Sequence, residues 1–189
     1  MKTTDQEPVR IWTDGSGLRD ARQKNLRGGF GFVAIYKDKR IEGQGWADDC
    51  TNNAAELSAI LAALLTVKPL GIPIEIYSDS EYCIKAITQW LPKWKANDWM
   101  TASCKPVSNK TLLEAVETAA AVHEAVGGSI SYTHIRGHVG ITENERADYL
   151  AGEARKEAAI SRIKKEHMNI IHGVIRKDNH LWKTTQTTS

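Results

Sequence analysis

What most limits the folds open to this chain is the order in which its apolar patterns change. Three β-prone runs come first, over residues 9–13, 29–36 and 40–46, with Lys37-Asp38-Lys39 joining the last two as a hairpin. An Ala/Leu-rich stretch over 53–67 is long enough for a helix capped by Thr51 or Asn52 and broken by residues 69–73, which begin and end in proline. A short apolar strand over 74–77 leads into Ser78-Asp79-Ser80 and a helical stretch ending at Pro92. Residues 94–108 carry Lys and Trp without a period. Residues 110–126 are helical until Gly127-Gly128, and 130–134 form a last strand. Thr142-Glu143-Asn144-Glu145 has capping-box spacing and opens a helix that runs past Ala154. The order β-β-β-α-β-α-α-β-α mixes a meander with crossover helices, which predicts an α/β fold with a mixed sheet flanked by helices.

The 189 residues suffice for one domain with a sizeable core. No run approaches the roughly 20 apolar residues of a membrane span, so no membrane partner is expected. The polar residues 1–8 offer no secretory signal, which points to the cytoplasm, with the nucleus as the alternative. Cys50, Cys83 and Cys104 are odd in number and lack C-x-x-C spacing, against a disulfide framework or a zinc site. Charge is uneven: residues 155–189 carry a net +5, and the preceding residues a net −3. A body that gathers carboxylates still binds a polyanion if cations bridge the two.

Four carboxylates sit where simple solvation is not the easy explanation. Asp14 and Asp79 each follow a strand, where ligands gather in open α/β sheets. Glu56 shares a helical face with Ile60, Ala63 and Val67. Asp148 lies near Ala151 and Gly152, small residues that let a helix approach its neighbour. Each also has a structural alternative. Asp14-Gly15 suits a turn, Asp79 a capping turn with Ser80, Glu56 the dipole of a helix's first turn, and Asp148 a solvated helix face. Carboxylates converging on one cleft would repel unless a cation neutralised them, and oxygen-only ligands select hard cations such as Mg²⁺ or Mn²⁺.

Thr13-Asp14-Gly15-Ser16, Thr51-Asn52-Asn53-Ala54-Ala55-Glu56-Leu57, Ser78-Asp79-Ser80 and Gly137-His138-Val139-Gly140-Ile141-Thr142-Glu143-Asn144-Glu145-Arg146-Ala147-Asp148 occur in that order. Together they closely resemble the signature of type 1 ribonuclease H, over about residues 9–156. Ile87-Thr88-Gln89-Trp90, Trp94, Trp99 and Lys105-Pro106-Val107 are similar to that family's basic protrusion. The resemblance implies a ribonuclease H-like fold, a five-stranded mixed sheet flanked by helices with a basic protrusion. It would lie between a flexible N-terminus, 1–8, and a basic C-terminal extension, 157–189. It further implies a monomeric endonuclease that cuts the RNA strand of RNA–DNA hybrids, leaving 3′-hydroxyl and 5′-phosphate ends. Asp14, Glu56, Asp79 and Asp148 would hold two Mg²⁺, with Mn²⁺ expected to substitute. Asp14 would bridge the ions, Asp79 and Asp148 would each complete one site, and Glu56 would meet metal-linked water and the 2′-hydroxyl. His138 would shuttle protons or aid product release.

The same resemblance implies substrate contacts from Gly15, Ser16, Thr51, Asn52, Asn53 and Ser80. In the protrusion it adds Trp90, Lys93, Trp94 and Lys95, with Lys105 and Lys110 supplying further charge. Trp12 and Trp46 are expected in the core. Thr51 and Asn109 match a pocket for a DNA-strand phosphate, where the family's arginine is replaced by Asp49. Arg19, Arg22, Lys24 or Arg27 would have to compensate, and Glu81 adds negative charge near the substrate path. The extension, with Ile160, Ile163, Ile170, Ile171 and Val174 near helical spacing, reads either as a docked amphipathic segment or as an added basic surface. Two other functions are a ribonuclease H domain of a retroelement or viral polyprotein and a non-catalytic nucleic-acid-binding module. The start at Met1 and the retention of all four carboxylates speak against these in turn.

Overall fold

In a computed structural model of the chain, residues 6–17, 27–48 and 50–163 are described, side chains of 159–163 excepted. Strands β1 (Val9–Ser16), β2 (Arg27–Tyr36) and β3 (Lys39–Asp48) form an antiparallel meander. Helix α1 (Asn52–Thr66) crosses to β4 (Ile74–Ser78), which pairs parallel with β1. Helix α2 (Glu81–Lys85), a π turn (Ala86–Trp90), α3 (Leu91–Ala96) and α4 (Lys110–Ala125) precede β5 (Ile130–His134), parallel to β4. Helix α5 (Thr142–Ile163) closes the described chain. The sheet order is β3-β2-β1-β4-β5, five strands of mixed direction as expected.

The core lies between the sheet and α1, where Ile11, Leu57, Ile60, Leu64, Ile76 and Leu113 are essentially excluded from solvent. The side chain of Thr51 accepts from the Ala54 N–H and so caps α1, settling the choice between Thr51 and Asn52. The Asn52 side chain instead accepts from the Gly17 N–H, tying the end of β1 to the start of α1. Buried His123 bonds through Nε2 to the Leu64 carbonyl oxygen and pins α4 to α1.

The opposite face of β1–β3 is covered by α5, which approaches unusually closely. A Cβ on Gly29 would stand 2.1 Å from the Ala151 carbonyl oxygen, and one on Gly31 would stand 2.6 Å from that of Ala147. Those two alanines make the contact. Gly152, singled out by the sequence, does not, since a Cβ there would meet nothing within 4 Å. A polar clamp holds the helix from the side. Buried Glu42 on β3 accepts from Arg146 at 2.7 and 3.0 Å and from Arg40 at 2.9 Å. Burial pushes the Glu42 pKa up, but the two guanidiniums outweigh it and hold it below the usual carboxylate range.

Several expectations are corrected. Asp14-Gly15 is not a turn: β1 continues to Ser16 because β2 pairs with it that far. Pro92 does not end the helical stretch. It sits in the first turn of α3, where a missing N–H costs nothing, after the π turn has reset the chain. Glu145 does not close a box on Thr142; its carboxylate accepts from the Gly140 N–H, because the helix begins at Thr142 itself. Trp12 and Trp46 are only half-buried at the sheet surface, stacked on Tyr77 and beneath Arg27 respectively. Trp90, Trp94 and Trp99 pack on the core edge instead.

Gly31→Ala should lower unfolding free energy by about 1–3 kcal/mol, since the new methyl meets helix backbone that has no rotamer to yield. Urea denaturation of the variant against wild type measures it.

Candidate active site

Asp14 emerges near the carboxyl end of β1, buried at 7% exposure, and Asp79 directly follows β4, its parallel neighbour. The two strands bring these residues side by side because Thr13 pairs with Ser78. Glu56, 4% exposed, comes from α1. It lies one residue deeper than expected, as the fifth residue of the helix and past its first turn, so dipole stabilisation there does not account for it. Gly15 admits it: a Cβ there would lie 2.2 Å from the Glu56 nitrogen, so only glycine lets α1 reach the strand. One carboxylate oxygen from each of Asp14, Glu56 and Asp79 lies within 4.8 Å of the others.

Asp148 comes from α5, half-buried, and is near enough to Asp14 to raise its pKa. Gly137, before His138, lies against the same cluster: a Cβ on it would be 2.4 Å from Asp79 Oδ2 and would displace that carboxylate. Three of the four predicted carboxylates therefore share one oxygen cluster, and Asp148 stands near Asp14 outside it.

Their electrostatics follow. Burial, then the charge of Asp79, then the hydrogen bond and charge of Asp148 push the Asp14 pKa up to about 8. Burial followed by the charges of Asp14 and Asp79 raises Glu56 well above the carboxylate range. Glu56 Oε2 is buried and has no hydrogen-bond partner among the described residues. An acceptor left bare in that position costs roughly 1–3 kcal/mol, and a cation would satisfy it. The all-oxygen set suits a hard divalent ion, and the nearest thiols, Cys50 and Cys83, are buried and pushed up to about 12 by burial.

Other predicted residues fall around this centre. Ser16 and Asn53 are half-buried at its rim, and Ser80 caps α2 through the Cys83 N–H. His138 is exposed with φ +54°, in the loop between β5 and α5. Sequence reasoning passed over His134, whose Nε2 lies 3.2 Å from the Asp79 carbonyl oxygen; its place at the end of β5 was the available signal. On the protrusion Trp90 and Trp94 contact one another at 5.6 Å and line an apolar cleft with Lys93 and Met100. Its positive charge is smaller than expected. Lys95 is paired with Glu117 at 2.8 Å, and Lys110 with Glu114 at 3.8 Å, leaving Lys93 and Lys105 without a carboxylate partner among the described residues. Asn109, with φ +61°, is the residue that precedes α4. Glu81 is answered by Lys85 at 2.6 Å. Arg27 is not available to compensate for Asp49, being held by Asp48 at 2.8 Å. Asp49, Arg19, Arg22 and Lys24 lie outside the described residues.

A family model for RNase H matches residues 6–156. The chain belongs to the ribonuclease H family. The ribonuclease H of Pseudomonas paraeruginosa is 40% identical over 154 residues, covering 82% of this chain and 97% of that one. In structure, LC9-RNase H1, a type 1 RNase H with the type 2 active-site motif, has a TM-score of 0.65 at 23% identity, over 82% of this chain and 74% of that one. LC11-RNase H1, solved in complex with an RNA/DNA hybrid, has a TM-score of 0.55 at 23% identity, over 80% and 99%. As a ribonuclease H the chain is an endoribonuclease, and its acidic cluster is where this family's divalent metal dependence would reside.

The raised pKa of Asp14 sets the pH response of the metal-free protein. A folded-state value of about 8, above the unfolded one, means a contribution intact below about pH 4 and lost as pH rises through 8. In chelator, the melting temperature should fall between pH 5.5 and 8.5. Adding Mg²⁺ should restore more at pH 8.5 than at 5.5, and Asp14→Asn should flatten the chelator profile. Differential scanning calorimetry reads all three.

Proposed function

We propose that Asp14, Glu56, Asp79 and Asp148 hold two divalent cations, Mg²⁺ with Mn²⁺ as substitute, and that the chain there hydrolyses the RNA strand of an RNA–DNA hybrid. The observation that carries this is the oxygen cluster of Asp14, Glu56 and Asp79 within 4.8 Å, with one buried Glu56 oxygen unpartnered. Asp14, in the middle of the set, would be shared, with Asp79 completing one position and Asp148 the other. When bound, two such ions about 4 Å apart supply an activated water and stabilisation of the leaving oxygen in an in-line phosphoryl displacement.

The protein's own part is to position and to discriminate. The carboxylates stand on strand ends and two helices, elements too rigid to relax when the charges repel. Glu56 also faces the rim where a ribose 2′-hydroxyl would lie, the group by which RNA differs from DNA. Gly15, Ser16, Asn52, Asn53 and Ser80 border that rim and would contact sugar edges in the shallow groove of a hybrid. Trp90 and Trp94 would lie against the deoxyribose strand, with Lys93 and Lys105 on its phosphates and Thr51 with Asn109 as the remaining phosphate pocket. His138, exposed beside the Asp79 edge, would carry protons between site and solvent. LC11-RNase H1, which shares the fold, was solved with such a hybrid, and all four carboxylates needed for catalysis are retained, against a purely binding module.

With Mg²⁺, the protein should cut a labelled hybrid and leave duplex RNA and single-stranded RNA intact. Asp14→Asn should lower the rate roughly 10³-fold or more, the scale lost when charge stabilisation is removed from a reacting centre. Gel analysis of the labelled products decides it, and hybrid left whole by wild type with either Mg²⁺ or Mn²⁺ overturns the reading.

A further inference from the structure

Arg155 is a cation on the site's own face with no anion to answer it among the described residues. It follows Asp148 by seven residues on α5, two turns and about 10 Å along the same helix face. Beneath it is Gly29, where a Cβ would lie 3.0 Å from Arg155 Cβ. Gly29 pairs across the sheet with Ser16, as Gly31 pairs with Asp14. The helix therefore runs along β1 so that Asp148 stands over Asp14 and Arg155 over Ser16. Ser16 lies two residues beyond Asp14 on the same strand face, about 7 Å further on.

The partners are unequal to the side chain. Arg155 Nη1 donates to Ser16 Oγ at a long 3.5 Å. Among the described residues no carboxylate comes within ion-pair distance of it, whereas Arg27, Arg40 and Arg146 on neighbouring positions each hold one. A guanidinium offers five donors in a planar fork matched to carboxylate or phosphate oxygens. Here it is half-buried, braced by the glycine floor, and turned toward a hydroxyl that is itself on the substrate rim.

We infer that Arg155, with the Ser16 hydroxyl, grips a backbone phosphate of the cleaved strand about two nucleotides from the cut. The spacing follows from the 7 Å between Asp14 and Ser16 and an axial advance of about 3.4 Å per phosphate on one strand. The inference rests on the function proposed above. It makes Arg155 a substrate-positioning residue that fixes the register of the RNA strand over the carboxylates.

The test is steady-state cleavage of a hybrid by wild type, Arg155→Ala and Arg155→Lys across a series of salt concentrations. The alanine variant should raise KM about tenfold, as losing one charge-assisted contact implies, and lysine should recover part of it. The slope of log KM against log salt should become shallower by about 0.9 for alanine and stay near wild type for lysine. A merely structural role is separated by hybrids carrying one neutral methylphosphonate linkage at successive positions of the cleaved strand. One linkage near the second from the cut should cost wild type affinity and cost Arg155→Ala nothing further. Wild type that cuts while Arg155→Ala matches its KM and slope, or that loses affinity equally at every linkage, removes this inference alone. Wild type that leaves hybrids intact removes the proposed function and this inference with it.

Discussion

Like charges less than 5 Å apart are the constraint around which this molecule is built. Two carboxylates at that separation repel by roughly 3–4 kcal/mol at an effective dielectric of about 20, and the burial of Asp14 and Glu56 adds desolvation to each. Left to flexible loops, such groups would swing apart into water. They do not, because each is fixed by an element with no slack. Asp14 is held in a strand paired on both edges, Asp79 at the end of its parallel neighbour, and Glu56 on a helix pressed onto Gly15. Asp148 is the outlying case, and its support is correspondingly double. Bare glycines let α5 touch the sheet, and the clamp of Arg146 and Arg40 on Glu42 stops the helix sliding along it.

That arrangement explains why the site is costly to the empty protein and useful to the loaded one. The repulsion is relieved either by protons, which is what the raised pKa of Asp14 describes, or by cations, which the bare Glu56 oxygen also favours. Protons and metals therefore compete for the same oxygens. A polyanion adds a further demand, because phosphate cannot approach uncompensated carboxylates. If the cluster holds cations as proposed, their binding has to precede or accompany that of substrate.

How much of this was legible in the sequence depended on whether the signal was local. Strand and helix order followed from apolar period and from Pro and Gly punctuation, and β5 and α1 are found within a residue of expectation. The errors occur where tertiary partners override local preference. Asp14-Gly15 has turn chemistry, yet β2 holds it in the sheet. Pro92 breaks helices in general, yet the π turn before it leaves its nitrogen without a duty. The charge of Lys95 was readable, but its pairing with Glu117, 22 residues on, was not. The carboxylate identities came from four motifs read together. Spacing alone left each with a structural alternative, and only the sheet's register shows that Asp14 and Asp79 must be neighbours.

The uneven charge of the chain takes on a meaning from the same geometry. A site that is negative before metal binds cannot draw a nucleic acid by its own field, so attraction has to come from cations placed outside it. Lys93 and Lys105 stand on the protrusion, and the net positive charge of residues 155–189 begins with Arg155, beside Ser16. On the proposed reading, a backbone gripped at both places would cross the carboxylates at a set height and register. Positioning is then supplied by ordinary ion contacts at the periphery, and the strained centre is left free for charges that arrive with the metal.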